Sequence, residues 1–155
     1  MEEKGAVQLP GLDFTLTGKP DRIDRLQDGR LLLIDYKTGE PPTAKQQLHF
    51  DKQLLLLAAM AEEGAFKGLD AEEVAQVVYV GLKAQLKTQE VTLTPGQIAE
   101  VWAEFARLIA AYARPGQGYT ARRALESVRD ASDYDHLSRF GEWDMTDTPA
   151  PEVLS

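Results

Sequence analysis

The chain is 155 residues long, enough for one ordinary hydrophobic core and little more. Its 43% hydrophobic and 27% charged residues are the balance of a globular protein and exclude collagen-like, coiled-coil and wholly disordered classes. With 17 basic and 25 acidic residues the net charge is −8, so attraction to nucleic acid requires a local basic site, a metal or a basic partner.

Leu12, Phe14 and Leu16 alternate with Asp13, Thr15 and Thr17, which predicts a half-buried strand over Leu12 to Leu16, interrupted at Gly18 and Pro20. Strand character resumes from Asp21 to Leu26. Asp28-Gly29 predicts a tight turn of positive φ angles, closing an antiparallel hairpin whose return strand is Arg30 to Lys37. The unbroken apolar stretch Leu31-Leu32-Leu33-Ile34 implies burial on both faces, and hence a central strand. Thr38-Gly39-Glu40-Pro41-Pro42 ends it.

One helix is expected from about Ala44 to Glu63, stopped by Gly64. Val77-Val78-Tyr79-Val80 reads as a second interior strand and Leu86 to Leu93 as an edge strand. Thr94 as cap and Pro95 as first helical residue then open a helix. In it Ile98, Val101, Trp102, Phe105, Leu108, Ile109 and Tyr112 recur at helical spacing and fill one core-facing stripe. Beyond Pro115-Gly116-Gln117-Gly118 the pattern weakens to short helical stretches around Ala121 to Arg129 and Tyr134 to Phe140. The polar segment Thr146 to Ser155 is expected to fray.

Two absences narrow the class further. Without cysteine there are no disulfides, thiolate zinc sites or iron–sulfur ligands, which agrees with a reducing, cytoplasmic setting. The longest apolar run, Leu54 to Ala61, is too short to cross a bilayer, and Met1-Glu2-Glu3-Lys4 lacks a signal-peptide layout, so no membrane role is expected.

The chemistry concentrates at the end of the Arg30 to Lys37 strand. Period two puts Leu31, Leu33, Asp35 and Lys37 on one face, and Leu32, Ile34 and Tyr36 on the other. An acid and a lysine ending an apolar strand are either a salt bridge at the sheet rim or a ligand site. Antiparallel pairing about Asp28-Gly29 sets Asp21 opposite Asp35 or Tyr36, so two carboxylates can converge within the span of one cation. Hard oxygen ligands suit Mg²⁺ or Mn²⁺, which keep waters and recruit phosphate oxygens. A lysine beside them can orient an attacking water and offset charge on a phosphorane-like transition state, the requirements of phosphodiester hydrolysis.

Gly18-Lys19-Pro20-Asp21-Arg22-Ile23-Asp24, Asp28-Gly29, Leu33-Ile34-Asp35-Tyr36-Lys37-Thr38-Gly39 and Gln53-Leu54 together resemble the PD-(D/E)XK nuclease superfamily. More narrowly they resemble the RecB-like nuclease domain of AddB subunits, in bacterial helicase–nuclease complexes that process DNA double-strand ends. The resemblance extends to the Tyr134 to Trp143 stretch.

It implies an α/β fold, a small mixed β-sheet flanked by helices, in a restriction-endonuclease-like core that lacks the first helix. Asp21 and Asp35 would bind Mg²⁺ or Mn²⁺ with the Tyr36 backbone carbonyl. Lys37 would position water, and Gln53 would hold the site or the DNA backbone. The implied partners are DNA and an AddA-like helicase–nuclease subunit. Residues 1–145 would form the nuclease domain, as a fragment of a larger subunit, and residues 146–155 a flexible tail.

The chain departs from the family in three ways. Only 11 residues precede Leu12, so the helix carrying a further metal ligand is expected outside this chain. The flanking cysteines of many relatives are missing, and Tyr119, Tyr134, Phe140 and Trp143 are candidates to anchor the tail instead. Leu57 stands where the family often has tyrosine.

His49 and His136 read as surface or hydrogen-bonded residues rather than ligands. Asp24 is either an acid behind the metal site or a partner of Arg22 or Arg25. Lys83, Lys87, Arg122 and Arg123 read as solvated surface, with phosphate contact as the alternative. The rival function is a non-catalytic module that keeps the fold for docking or for guiding DNA.

Overall fold

In the computed structural model, residues 4–82, 87–118, 136, 139, 141–144, 146–148 and 150 are described. The chain divides into two compact units, Met1–Ala111 and Tyr112–Ser155. In the second, Arg139 pairs with Glu142 at 2.6 Å, and the Thr146 hydroxyl and amide both donate to Asp144.

The first unit opens with a hairpin of β1 (Gly5–Gln8) and β2 (Thr15–Gly18), paired antiparallel from Gly5↔Gly18 to Gln8↔Thr15. The alternation at Leu12 to Leu16 predicted a strand, but pairing begins only at Thr15. Before it the chain turns through Leu9 to Leu12, where Gly11 adopts φ 74°. β1 itself carries too few apolar residues for a sequence pattern, and its amide at Ala6 is tied to the Ala65 carbonyl.

A four-stranded sheet follows, in the order β3 (Arg22–Arg25), β4 (Leu31–Lys37), β5 (Val74–Gly81), β6 (Lys87–Val91). β4 pairs antiparallel with β3 and parallel with β5, so it is the interior strand that its apolar run predicted. This is a mixed sheet flanked by helices, as expected. The β3–β4 turn differs in detail from the expectation, because of Asp28 and Gly29 only Gly29 has a positive φ, at 89°. The Gly29 N–H donates to Leu26 O and the Leu26 N–H to Arg30 O, which is a three-residue turn with a glycine bulge. The Asp28 carboxylate grips the Arg30 amide and guanidinium, closing the turn.

Between β4 and β5 the sequence predicted one helix and the fold contains two, α1 (Ala44–His49) and α2 (Gln53–Glu62). Thr43 and Gln46 cap α1 reciprocally. No glycine or proline marks the break. Phe50 and Asp51 both donate to the Gln46 carbonyl at 2.8 Å, which ends the first helix before Lys52 begins the second.

In α2, Leu54, Leu55, Leu57, Ala58, Ala59, Met60 and Ala61 are all buried, because it touches β1 on one side and β4 and β5 on the other. A side chain at Gly18 would come within 2.7 Å of Leu57 Cδ2, so glycine lets the hairpin seat closely on this helix. Gly64 stops α2 with φ 69°, as the sequence predicted.

α3 (Gln97–Tyr112) starts later than Thr94 and Pro95 suggested. Gln97 N–H donates to Thr94 O at 3.0 Å and Gly96 takes φ 79°, so Thr94-Pro95-Gly96-Gln97 is a type II turn ahead of the helix. Its stripe is core only in part. Ile98 and Val101 are buried, Trp102 stacks on Phe105, and Phe105 meets Phe14 edge-on, whereas Leu108 is 42% exposed. The segments read as helical around Ala121 to Arg129 and Tyr134 to Phe140 lie outside the described residues apart from His136 and Arg139, as does most of the tail from Thr146.

Candidate active site

Burial alternates along β4, with Leu31, Leu33 and Asp35 buried on the face that α2 covers and Lys37 next in that row. Asp35 is 5% exposed, an ionisable group at the carboxyl end of an apolar strand. Lys37 Nζ lies 2.9 Å from Asp35 Oδ2. That oxygen nevertheless receives no aligned hydrogen bond, so the contact is an ion pair without directed geometry.

Asp21 comes from the neighbouring strand. The β3–β4 ladder ends at Arg22↔Ile34, and one further antiparallel step brings Asp21 opposite Asp35. The Tyr36 N–H donates to Asp21 Oδ2 at 2.8 Å, which fastens this exposed carboxylate to the end of β4. Asp21, Asp35, Lys37 and the Tyr36 backbone therefore meet at one end of the sheet. Thr38 to Pro42 close over the same end, since a side chain at Gly81 would meet Pro41 Cδ at 3.0 Å and the Gly39 carbonyl at 3.2 Å.

Two residues that sequence reasoning did not single out complete the cluster. Tyr79 stands in parallel register with Asp35 and is 2% exposed. Lys37 Nζ sits over its ring, 5.6 Å from the centroid. The Tyr79 hydroxyl donates to Asp51 Oδ1 at 3.1 Å, from the break between α1 and α2. Burial first, then the Asp51 charge and hydrogen bond, hold the Tyr79 phenol above the ordinary tyrosine range. The available signal was a tyrosine inside an apolar strand run, whose hydroxyl must find a partner when buried.

Gln53 opens α2 and is exposed. Asp24 pairs with Arg22 at 2.7 Å, the surface pair that was one of its two expected roles, and Arg25 pairs with Glu72 at 2.8 Å. Asp24 first, and then Tyr36, hold the Arg22 guanidinium above its ordinary value. His49 is exposed with its ring against Phe50, and His136 is also exposed. Lys83, Arg122, Arg123, Tyr119, Tyr134 and Phe140 lie outside the described residues.

The donors at the site are hard oxygens, and Asp35 Oδ2 is buried without a directed partner, which suits a divalent cation. Among the described residues no three acidic or histidine side chains gather into a cage. The two carboxylates at this end of the sheet are a set that fits a cation which retains waters and takes substrate phosphate oxygens.

Residues 2–137 match the sequence profile of the PD-(D/E)XK nuclease superfamily. The chain belongs to that superfamily. Its mixed sheet flanked by helices is consistent with the PD-(D/E)XK fold, and nucleases of this superfamily generally use divalent metals.

Two relatives are uncharacterized Rickettsia proteins. One, from Rickettsia felis, is 32% identical over 87 residues, covering 54% of this chain and 10% of the relative. The other, from Rickettsia conorii, is 35% identical over 68 residues, covering 42% of this chain and 8% of the relative. The matches thus span about a tenth of each relative's length. Among the described residues no helix is long and apolar enough to cross a membrane.

Proposed function

We propose that this chain is the nuclease module of a bacterial, AddB-type helicase–nuclease, hydrolysing DNA phosphodiesters with Mg²⁺ or Mn²⁺ during resection of double-strand ends in the cytoplasm. The observation that carries this reading is the meeting of Asp21, Asp35 and Lys37 where β4 ends, with Tyr36 N–H clamping Asp21 in place. The narrower AddB-type assignment is supported by Gly18-x-x-Asp21 and Asp35-Tyr36-Lys37-Thr38-Gly39 in one hairpin, with Gln53 opening the next helix.

In this reading Asp21, Asp35 and the Tyr36 carbonyl would hold the cation, which would supply Lewis-acid polarisation of the phosphate and activation of water. The Lys37 ammonium, held beside Asp35, offsets negative charge as it builds on the phosphoryl oxygens. Gln53, exposed at the start of α2, would meet the DNA backbone in this reading. A net charge of −8 leaves the DNA track to basic surfaces on an AddA-like partner subunit. Residues 1–145 constitute the nuclease domain and residues 146–155 a tail.

The test is digestion of linear double-stranded and single-stranded DNA by the full chain with Mg²⁺, with Mn²⁺ and with chelator. Metal-dependent cleavage that disappears in Lys37→Ala supports the assignment. Stable DNA or partner-subunit binding without cleavage under either metal, even beside the partner subunit, overturns it in favour of a docking or DNA-guiding module.

A further inference from the structure

Lys37 lies against both Asp35 and Tyr79, and of these Asp35 belongs to the proposed metal site. Asp35 holds the ammonium at 2.9 Å from one side, while the ring of Tyr79 bounds it at 5.6 Å from the adjoining parallel strand. A lysine at a strand end has four rotatable bonds and keeps no single position unless something restrains it. A single ion pair fixes distance poorly, the more so where the carboxylate oxygen gets no aligned hydrogen bond. A ring face restrains the direction that the carboxylate leaves open.

The Tyr79 ring is itself restrained. It is 2% exposed, and its hydroxyl is fastened to Asp51, which lies in the helix break that nothing in the local sequence explains. Had Ala44 to Glu62 formed one continuous helix, Asp51 would be a mid-helix residue. The break turns the chain between His49 and Gln53, and Asp51 within it accepts from the Tyr79 hydroxyl.

We propose that Tyr79 is a positioning residue for Lys37, its ring face fixing where the ammonium stands and Asp51 fixing the ring. Tyr79 touches neither substrate nor cation in this arrangement and acts through Lys37 alone. The inference deepens the nuclease reading and rests on it for its catalytic consequence.

The full chain is examined without metal by NMR of the lysine side chains, with thermal unfolding as control, and then for metal-dependent DNA cleavage. A proton held over an aromatic face is displaced upfield. The Lys37 ε-methylene signal is therefore expected upfield in the native chain and in Tyr79→Phe, and at the solvated-lysine position in Tyr79→Leu. In cleavage, Tyr79→Leu is expected to lower kcat on the order of tenfold with little change in KM, because misplacing a catalytic group costs rate rather than affinity. Tyr79→Phe is expected to lose less. A merely structural role would move the unfolding temperature without this split.

Should Tyr79→Leu fail to fold, Asp51→Ala carries the test, since Asp51 is only half-buried. It is expected to broaden or shift the Lys37 signal and to lower kcat in the same direction. A native Lys37 signal already at the solvated position, or one that neither Tyr79→Leu nor Asp51→Ala moves, overturns the positioning role. If the Lys37 signal behaves as expected but Lys37→Ala leaves cleavage untouched, the nuclease assignment of Lys37 fails, and the catalytic consequence with it.

Discussion

The backbone N–H of Tyr36 donates to the Asp21 carboxylate at 2.8 Å, across fifteen residues of chain. The bond engages one of the two carboxylate oxygens of Asp21. It also separates this hydrogen bond from the cation-holding role proposed for Asp21, because an asparagine oxygen can accept from Tyr36 but carries no charge for a cation. Asp21→Asn is expected to keep stability within about 0.5 kcal/mol of the native chain, while Asp21→Ala loses about 1 kcal/mol with the hydrogen bond. Both are expected to lower metal-dependent cleavage by about a hundredfold or more. Urea unfolding and DNA digestion read the two effects separately.

Lys37→Met keeps the aliphatic reach and removes the charge, leaving the buried Asp35 carboxylate without its counter-ion. The lysine is partly solvated, so the cost lies between that of a surface pair and a buried one, about 2 kcal/mol. Mg²⁺ can replace the missing positive charge. The unfolding temperature of Lys37→Met is therefore expected to rise more on adding Mg²⁺ than that of the native chain. Equal rises in the two proteins would argue against a cation seat at Asp35.

Gln53 is exposed at the start of α2, so its removal tests a DNA contact without disturbing the core. Gln53→Ala is expected to leave stability within about 0.5 kcal/mol and to weaken DNA binding, measured by fluorescence anisotropy. Loss of stability with unaltered binding would return Gln53 to a structural role.

Tyr79 should titrate late. Burial and the Asp51 charge raise the Tyr79 pKa above the ordinary value of 10.0. A group whose folded pKa lies above its unfolded value contributes stability that is whole below the unfolded pKa and is lost as pH rises toward the folded one. Absorbance at alkaline pH is expected to show a tyrosine, missing in Tyr79→Phe, that stays protonated above pH 10.0 until the chain unfolds. Asp51→Ala is expected to lower that pKa only in part, because burial is the larger cause.

The Asp28 carboxyl behaves in the opposite sense. Its hydrogen bonds from the Arg30 side chain and amide hold it below the ordinary 3.8. A depressed carboxylate contributes stability above its unfolded pKa and loses it as pH falls through the folded value. The difference in unfolding temperature between the native chain and Asp28→Asn is expected to be constant near neutrality and to shrink below about pH 3.8.

The hairpin from Asp21 to Lys37 was legible because it rests on local rules. Asp-Gly makes the turn, an apolar run makes an interior strand, and period two decides which side Asp35 and Lys37 share. Whether Asp21 meets Asp35 or Tyr36 stayed open in the sequence, because a two-residue Asp28-Gly29 loop sets Asp21 opposite Tyr36 and only the three-residue turn with its glycine bulge sets it opposite Asp35. The break after His49 and the exposure of Leu108 were not legible. The late start of α3 is a local matter that the helix reading passed over, since Pro95-Gly96 suits a type II turn and Gly96 bends the chain before the helix begins.

The sequence by itself determined that two strands close a hairpin about Asp28-Gly29, the face carrying the acid and the lysine, and the family motif, since all of these are set by neighbours along one stretch of chain. Only the tertiary structure decided that Tyr79 bounds Lys37 and that Asp51 reaches Tyr79. Those contacts need β4 and β5 in parallel register and a helix broken at one point. Both contacts join residues far apart in the chain, Lys37 with Tyr79 and Asp51 with Tyr79, so no short stretch of sequence contains them.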